Sequence, residues 1–149
     1  MSDAREDRTR YLDLSTGNCV DEYRWEGEGV PRVYDFHRTV NLFEAEEWNE
    51  MTKELAYPII LLSFVGFAGQ TRVKVEANMP KYNAAKHFLC FIKKGNASHG
   101  TKGYFMKGLT DDPSQLVLVD DRVKNCNSAK AAGCQTIRVF SKEDVIKSL

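Results

Sequence analysis

The sequence predicts an α/β protein, a three-layer sandwich around a five-stranded, mainly parallel sheet. Three observations predict it. Five short apolar runs recur along the chain, separated by segments of helical or turn-rich character. The second run, Pro58 to Val65, is apolar almost throughout, as expected of a strand covered on both faces. Strands that alternate with helices imply a parallel sheet with right-handed crossovers.

The elements follow in order. Residues 1–29 are polar and irregular, with scattered Tyr11, Tyr23 and Trp25 among several glycines, and are expected to form an N-terminal arm or edge hairpin; residues 30–149 form the core domain. Val30 to Phe36 reads as the first strand. Phe43 to Ala56 follows as a helix, with Leu42, Phe43, Trp48, Met51 and Leu55 supplying an apolar face and acidic residues crowding its first turns. After the Pro58 to Val65 strand, Gly66 and Gly69 mark a loop, and a weaker helix runs toward Ala85, interrupted at Pro80. His87 to Lys93 makes a third strand, Lys102 to Leu109 a short helix, and Asp111 to Ser114 a turn. Leu116 to Val119 is the fourth strand. Asn125 to Ala132 is helical and stops at Gly133, a left-handed C-terminal cap. Thr136 to Phe140 is the fifth strand, and Ser141 with Asp144 opens a last helix in capping-box style.

Composition narrows the function classes. A chain of 149 residues makes about one domain. Its 21 basic and 21 acidic residues cancel, so no net field recruits nucleic acid or an anionic membrane. No apolar stretch approaches a membrane span, and Met1 to Asp13 is charged where a signal peptide needs an apolar core, which points to a cytoplasmic protein. Cys19, Cys90, Cys126 and Cys134 form no metal-ligand spacing and read as buried free thiols. His87 and His99 read as structural or exposed.

Four polar signals stand where apolar strands end or helices begin. Asp35 closes the first strand, Ser63 the second, Lys102 opens a helix, and Asp120-Asp121 follow the fourth strand. In an open α/β sheet such ends converge on one crevice, where ligands bind. Carboxylate, hydroxyl, lysine and paired carboxylates together read as a phosphate and metal site. Asp121 could instead cap the next helix, leaving Asp120 as the sole metal ligand, and Lys107 competes with Lys102.

Taken in this order, the motifs resemble those of the haloacid dehalogenase superfamily of phosphohydrolases and phosphotransferases. The similarity covers roughly residues 30–140. Asp35-Phe36-His37-Arg38-Thr39 is similar to the family's D-x-D-x-T loop; Ser63 resembles its second motif, Lys102 its third, and Asp120-Asp121 its fourth. The most specific segment is Asp120-Asp121-Arg122-Val123-Lys124-Asn125 with Ala129 and Ala131-Ala132-Gly133, which is similar to the DDR-x-x-N...A-x-x-AG variant. The resemblance implies a Rossmann-like fold and a Mg²⁺-dependent phosphohydrolase with Asp35 as nucleophile, passing through an aspartyl phosphate. It implies Mg²⁺ held by Asp35, the His37 carbonyl, Asp120 and Asp121; phosphate held by Ser63, Thr39 and Lys102; and Asn125 in support. Three carboxylates against Mg²⁺ and Lys102 sum to about zero charge.

Two positions depart from the family. His37 replaces the second aspartate, which serves as acid and base, and Arg38 stands where glycine is common. The alternative reading is therefore a catalytically impaired domain that binds metal and phosphate or a phosphorylated partner; a third is a phosphotransferase that traps phospho-Asp35. A receiver domain combines the same residue types, but its acidic pair lies on the first strand and its nucleophile on a middle one. The spacing leaves no room for a cap domain, and a capless site suits a phosphorylated substrate of macromolecular size. The lysines at Lys93-Lys94 and Lys107 read as solvated, or as an approach for an anionic substrate.

Overall fold

Residues alternate sides along a strand, and two apolar sets in alternation give each central strand two covered faces. The computed structural model describes residues 9–12, 32–55, 57, 59–64, 74, 77–82, 88–92 and 101–149. Its sheet has six strands rather than five: β1 (Thr9–Leu12), β2 (Arg32–Tyr34), β3 (Ile59–Phe64), β4 (Phe88–Ile92), β5 (Val117–Asp120) and β6 (Gln135–Arg138). They lie in the order β1-β4-β3-β2-β5-β6, and every pairing is parallel. The added strand, β1, falls in the segment expected as an arm or hairpin. Its four residues TRYL are too few and too polar to announce themselves as a strand, and pairing with β4 supplies what pattern does not.

The α-helices whose full extent falls among the described residues are α1 (Ala45–Thr52), α2 (Lys102–Met106), α3 (Val123–Ala131) and α4 (Lys142–Ser148). Tyr34, Ile59, Leu61, Val117 and Val119 meet Phe43 and Trp48, from α1 and its approach, and Val145 of α4 on one face. Val33, Ile60, Leu62 and Leu118 meet Phe105 and Met106 of α2 and Ala129 of α3 on the other. The protein is thus an α/β sandwich with both faces of a parallel sheet covered. Among the described residues no helix is long and apolar enough to cross a membrane.

Boundaries differ from the periodicity in ways that local chemistry explains. Strand β2 stops at Tyr34: the Asp35 N–H donates to the Val119 carbonyl at 3.0 Å, and the chain then turns through residues 36–39. Arg38 takes the left-handed conformation at φ 57°, held by its N–H donating to Asn41 Oδ1 at 2.7 Å. Helix α1 begins two residues later than expected because a 3-10 turn, Val40–Leu42, intervenes. Gly133 caps α3 at φ 95°, with the Cys134 N–H returning to the Ala129 carbonyl at 2.9 Å. At α4 the Ser141 Oγ accepts from the Asp144 N–H as expected, while the Asp144 carboxylate reaches back one residue further than a capping box requires and accepts from the Phe140 N–H. Cys126 and Cys134 are buried free thiols, as expected, and burial pushes the Cys134 thiol up to about 11. The readings at Cys19, Tyr23, Trp25, His87, Lys93, Lys94 and His99, and the side chains of Tyr11 and Cys90, lie outside the described residues.

Helix α2 crosses α3 at backbone contact. A Cβ on Gly103 would sit 2.6 Å from the Ser128 carbonyl carbon and nearer still to its oxygen, and the Gly103 N–H donates to Ser128 Oγ at 2.9 Å. Glycine elsewhere in a helix costs about 1 kcal/mol against alanine; here only glycine fits. Gly103→Ala should therefore lower stability by about 1–3 kcal/mol, the usual cost of overpacking, measured by urea unfolding.

Candidate active site

The sheet order places the site. The chain proceeds outward from β2 through β3 to β4, then returns to the far side of β2 with β5 and β6, so the direction of winding reverses between β2 and β5. Crevices in such sheets open beyond the carboxyl ends of the strands at that reversal. Tyr34 and Val119 are register partners, so the residues after them, Asp35 and Asp120, leave neighbouring strands at the same level. Alternation then sets their side. Val33 and Leu118 face the α2 and α3 layer, Tyr34 and Val119 the α1 and α4 layer, and the two aspartates return to the α2 and α3 side.

Lys102 meets them there. It is the first residue of α2, whose N-terminus begins at the carboxyl edge of the sheet, and helical side chains lean toward the N-terminus. Its Nζ lies 2.9 Å from Asp35 Oδ1 and 2.9 Å from Asp120 Oδ2, with the lysine 0% exposed. Lys107, the competing lysine, is exposed. Asp120 is further held by the Arg122 N–H at 2.9 Å on Oδ1 and by Asn125 Nδ2 at 2.9 Å on Oδ2. Asn125 sits in the first turn of α3 and reaches back over the strand end to Asp120.

Burial sorts the charges. It pushes the Asp35 carboxyl up to about 7, a shift that Lys102 opposes and Asp120 and Asp121 reinforce. At Asp120 burial also acts upward, but the Lys102 charge and the bonds from Arg122, Lys102 and Asn125 outweigh it and hold the carboxyl below its ordinary value. Burial acts against the Lys102 ammonium as well, and its two aspartates more than compensate, so its affinity for the proton rises. One member of the pair thus stays ionised with Lys102, while the other is poised near neutrality.

Asp121 does not cap α3. The cap position is Arg122, which makes no side-chain cap bond, and Asp121 Oδ1 is buried without a hydrogen-bond partner among the described residues. Carboxylate oxygens of Asp35, Asp120 and Asp121 all lie within 4.8 Å of one another. Against Lys102 they leave two net negative charges, and hard carboxylate oxygens at that spacing suit a divalent cation. Thr39 is 0% exposed, and its Oγ1 also finds no partner among the described residues.

Two expected members stand differently. Ser63 is buried at the carboxyl end of β3, yet it falls in phase with Ile59 and Leu61, toward the α1 layer rather than the Lys102 side. His37 is exposed, its ring edge-on to Phe36 at 5.7 Å. Partial burial lowers its proton affinity first, and Lys102, Arg122 and Arg38 add to that against the opposing pull of Asp121. Sequence reasoning passed over Phe36 and Tyr82, which flank the same loop edge-to-face at 5.2 Å. Phe36 is an apolar residue between two polar ones, and that was the available signal.

Two outcomes follow from this geometry. Lys102→Met strands two buried carboxylates and should destabilise the protein by about 3–5 kcal/mol at pH 8. Their folded-state proton affinities then exceed the unfolded ones, the native state binds more protons, and stability rises as pH falls, so denaturation curves at pH 5 should show a smaller deficit. Separately, a proton on Asp35 competes with a cation: apparent Mg²⁺ affinity, measured by calorimetry, should level off above pH 8 and fall about tenfold between pH 8 and pH 6. Comparison of the chain with protein-family models, with curated proteins and with solved structures returns no match in any of the three.

Proposed function

We propose that the chain is a Mg²⁺-dependent phosphohydrolase of the haloacid dehalogenase type, capless and Rossmann-like, acting through an aspartyl phosphate on Asp35. The observation that carries this reading is the wholly buried Lys102 ammonium bridging Asp35 and Asp120, with Asp121 beside them and its Oδ1 without a hydrogen-bond partner among the described residues. A merely structural ion pair needs one carboxylate and gains nothing from a third.

Asp35, Asp120 and Asp121 would hold Mg²⁺, joined by the His37 carbonyl; the bound ion supplies charge neutralisation to the phosphoryl oxygens. The Asp35 oxygen bonds to phosphorus as the ester P–O bond breaks, and the departing oxygen takes a proton from the His37 imidazolium. Water then bonds to phosphorus, the P–O bond to Asp35 breaks, and the water proton returns to His37. The sum is phosphomonoester plus water giving alcohol plus phosphate, with Asp35 and His37 restored. Lys102 offsets charge on the phosphoryl group in both steps, and the Thr39 hydroxyl is a donor with no protein acceptor among the described residues. Ser63 would join it only if the β3 end turns toward the phosphate.

Phosphate release from phenyl phosphate should require Mg²⁺ and vanish in Asp35→Asn. His37→Asp then separates an enzyme from an impaired binding domain: a gain of about 10²-fold or more marks a domain silenced at His37, and a loss marks a site adapted to histidine. Absence of metal-dependent turnover in folded wild-type and His37→Asp protein alike would sink the proposal.

A further inference from the structure

A cavity of about 370 Å³ opens beside the same loop. It lies toward the α1 layer, so it is separate from the carboxylate cluster, but His37 borders it, two residues after Asp35. Its inner walls are Phe36, Tyr82 and Ala45. The Phe36 and Tyr82 rings brace each other edge-to-face, and the Tyr82 hydroxyl is already spent on the Phe43 carbonyl at 2.7 Å, so Tyr82 offers the cavity a ring rather than a donor. Both residues are less than a tenth exposed and are fixed before any ligand arrives.

The rim is different. Asn41 brings its amide Nδ2, its Oδ1 already accepting from the Arg38 N–H, while the Asn78 amide is held between the Lys74 carbonyl and Lys81 Nζ; Lys74 and Lys81 bring ammonium groups against the single carboxylate of Glu44. An aromatic interior with a hydrogen-bonding, net cationic mouth selects a planar ring carrying polar or anionic substituents. The volume is near the lower end of ligand pockets, roughly 300–1,000 Å³, and takes one ring system rather than the surface of a folded partner.

We infer that this cavity receives the leaving group, and that the substrates are phosphomonoesters of aromatic compounds. The inference rests on the phosphohydrolase reading of Asp35. With phosphorus at Asp35, the departing oxygen passes His37, and the group attached to it comes to rest in the cavity against the Phe36–Tyr82 pair. Phenolic esters and nucleoside monophosphates share this chemistry, and they differ in whether the ring offers an acceptor edge to the Asn41 amide Nδ2.

Binding and turnover are measured separately so that the two readings fail separately. Full-length Asp35→Asn protein with Mg²⁺ is titrated calorimetrically with phenyl phosphate, adenosine 5′-monophosphate and glycerol 3-phosphate. At least one aromatic ligand should bind about tenfold or more tightly than the glycerol ester. Ala45→Val and Ala45→Leu fill the cavity in steps without removing a contact, and the aromatic preference should shrink in the same order; the smaller change guards against a variant that does not fold. Adenosine monophosphate bound more tightly than phenyl phosphate, with the difference lost in Asn41→Asp, which keeps the oxygen that accepts from the Arg38 N–H and removes the Nδ2 donor, identifies a nucleoside; phenyl phosphate bound equally or better identifies a phenolic ester. Equal affinity for aromatic and glycerol esters, or a preference indifferent to Ala45, overturns the inference. An aromatic preference in binding without turnover by wild-type protein overturns the phosphohydrolase reading alone.

Discussion

An ammonium group with no solvent exposure is costly in a protein interior, and the bridge from Lys102 to Asp35 and Asp120 is the condition under which this one is tolerated. Each partner comes from a different element: one carboxylate after β2, one at the end of β5, and the lysine from the start of α2. None can move without leaving a buried charge unpaired. The exclusion of side-chain volume at Gly103 belongs to the same constraint, because it lets α2 lie against the α3 backbone with Lys102 one residue away. Packing of two helices and pairing of three charges are therefore one structural fact.

The sheet supplies the rest. A central strand whose neighbours come from both later halves of the chain brings residues 35 and 120 side by side, although 84 others separate them in sequence. Strand alternation fixes which layer they face, and the α2 layer holds the lysine. Because Asp35 and Phe36 are adjacent, they face opposite layers, so one loop serves a polar cluster on one side and an aromatic cavity on the other.

Much of this was legible in the residues. Apolar runs ending in Asp35 and Asp120 gave strand ends, and parallel pairing did the rest. Gly133 and the Ser141–Asp144 pair are local signals, and the structure shows the caps they encode. Other features depend on long-range partners and had no local signature. Strand β1 exists through β4. Lys102 and Lys107 are indistinguishable by composition, and only the rotation of α2 separates a buried from an exposed lysine. The two aspartates at 120 and 121 look equivalent in sequence, yet the backbone turn gives the carboxylate of one three partners, Lys102, the Arg122 N–H and Asn125, and leaves an oxygen of the other unpartnered among the described residues. The glycine common at the Arg38 position of the resembled loop has a backbone counterpart here, since φ 57° is a conformation glycine adopts freely.

The order of strands also bears on synthesis. Strand β2 emerges from the ribosome early, but one of its two neighbours is β5, with Arg32 against Val117; β1 likewise waits for β4, with Thr9 against Leu89. A strand covered on both faces in the finished sheet thus keeps one edge open until β5 has been made. Contacts this distant close slowly, and chains in that condition associate with one another. Yield in expression should therefore respond to translation rate and chaperone supply more than to the final stability of the fold.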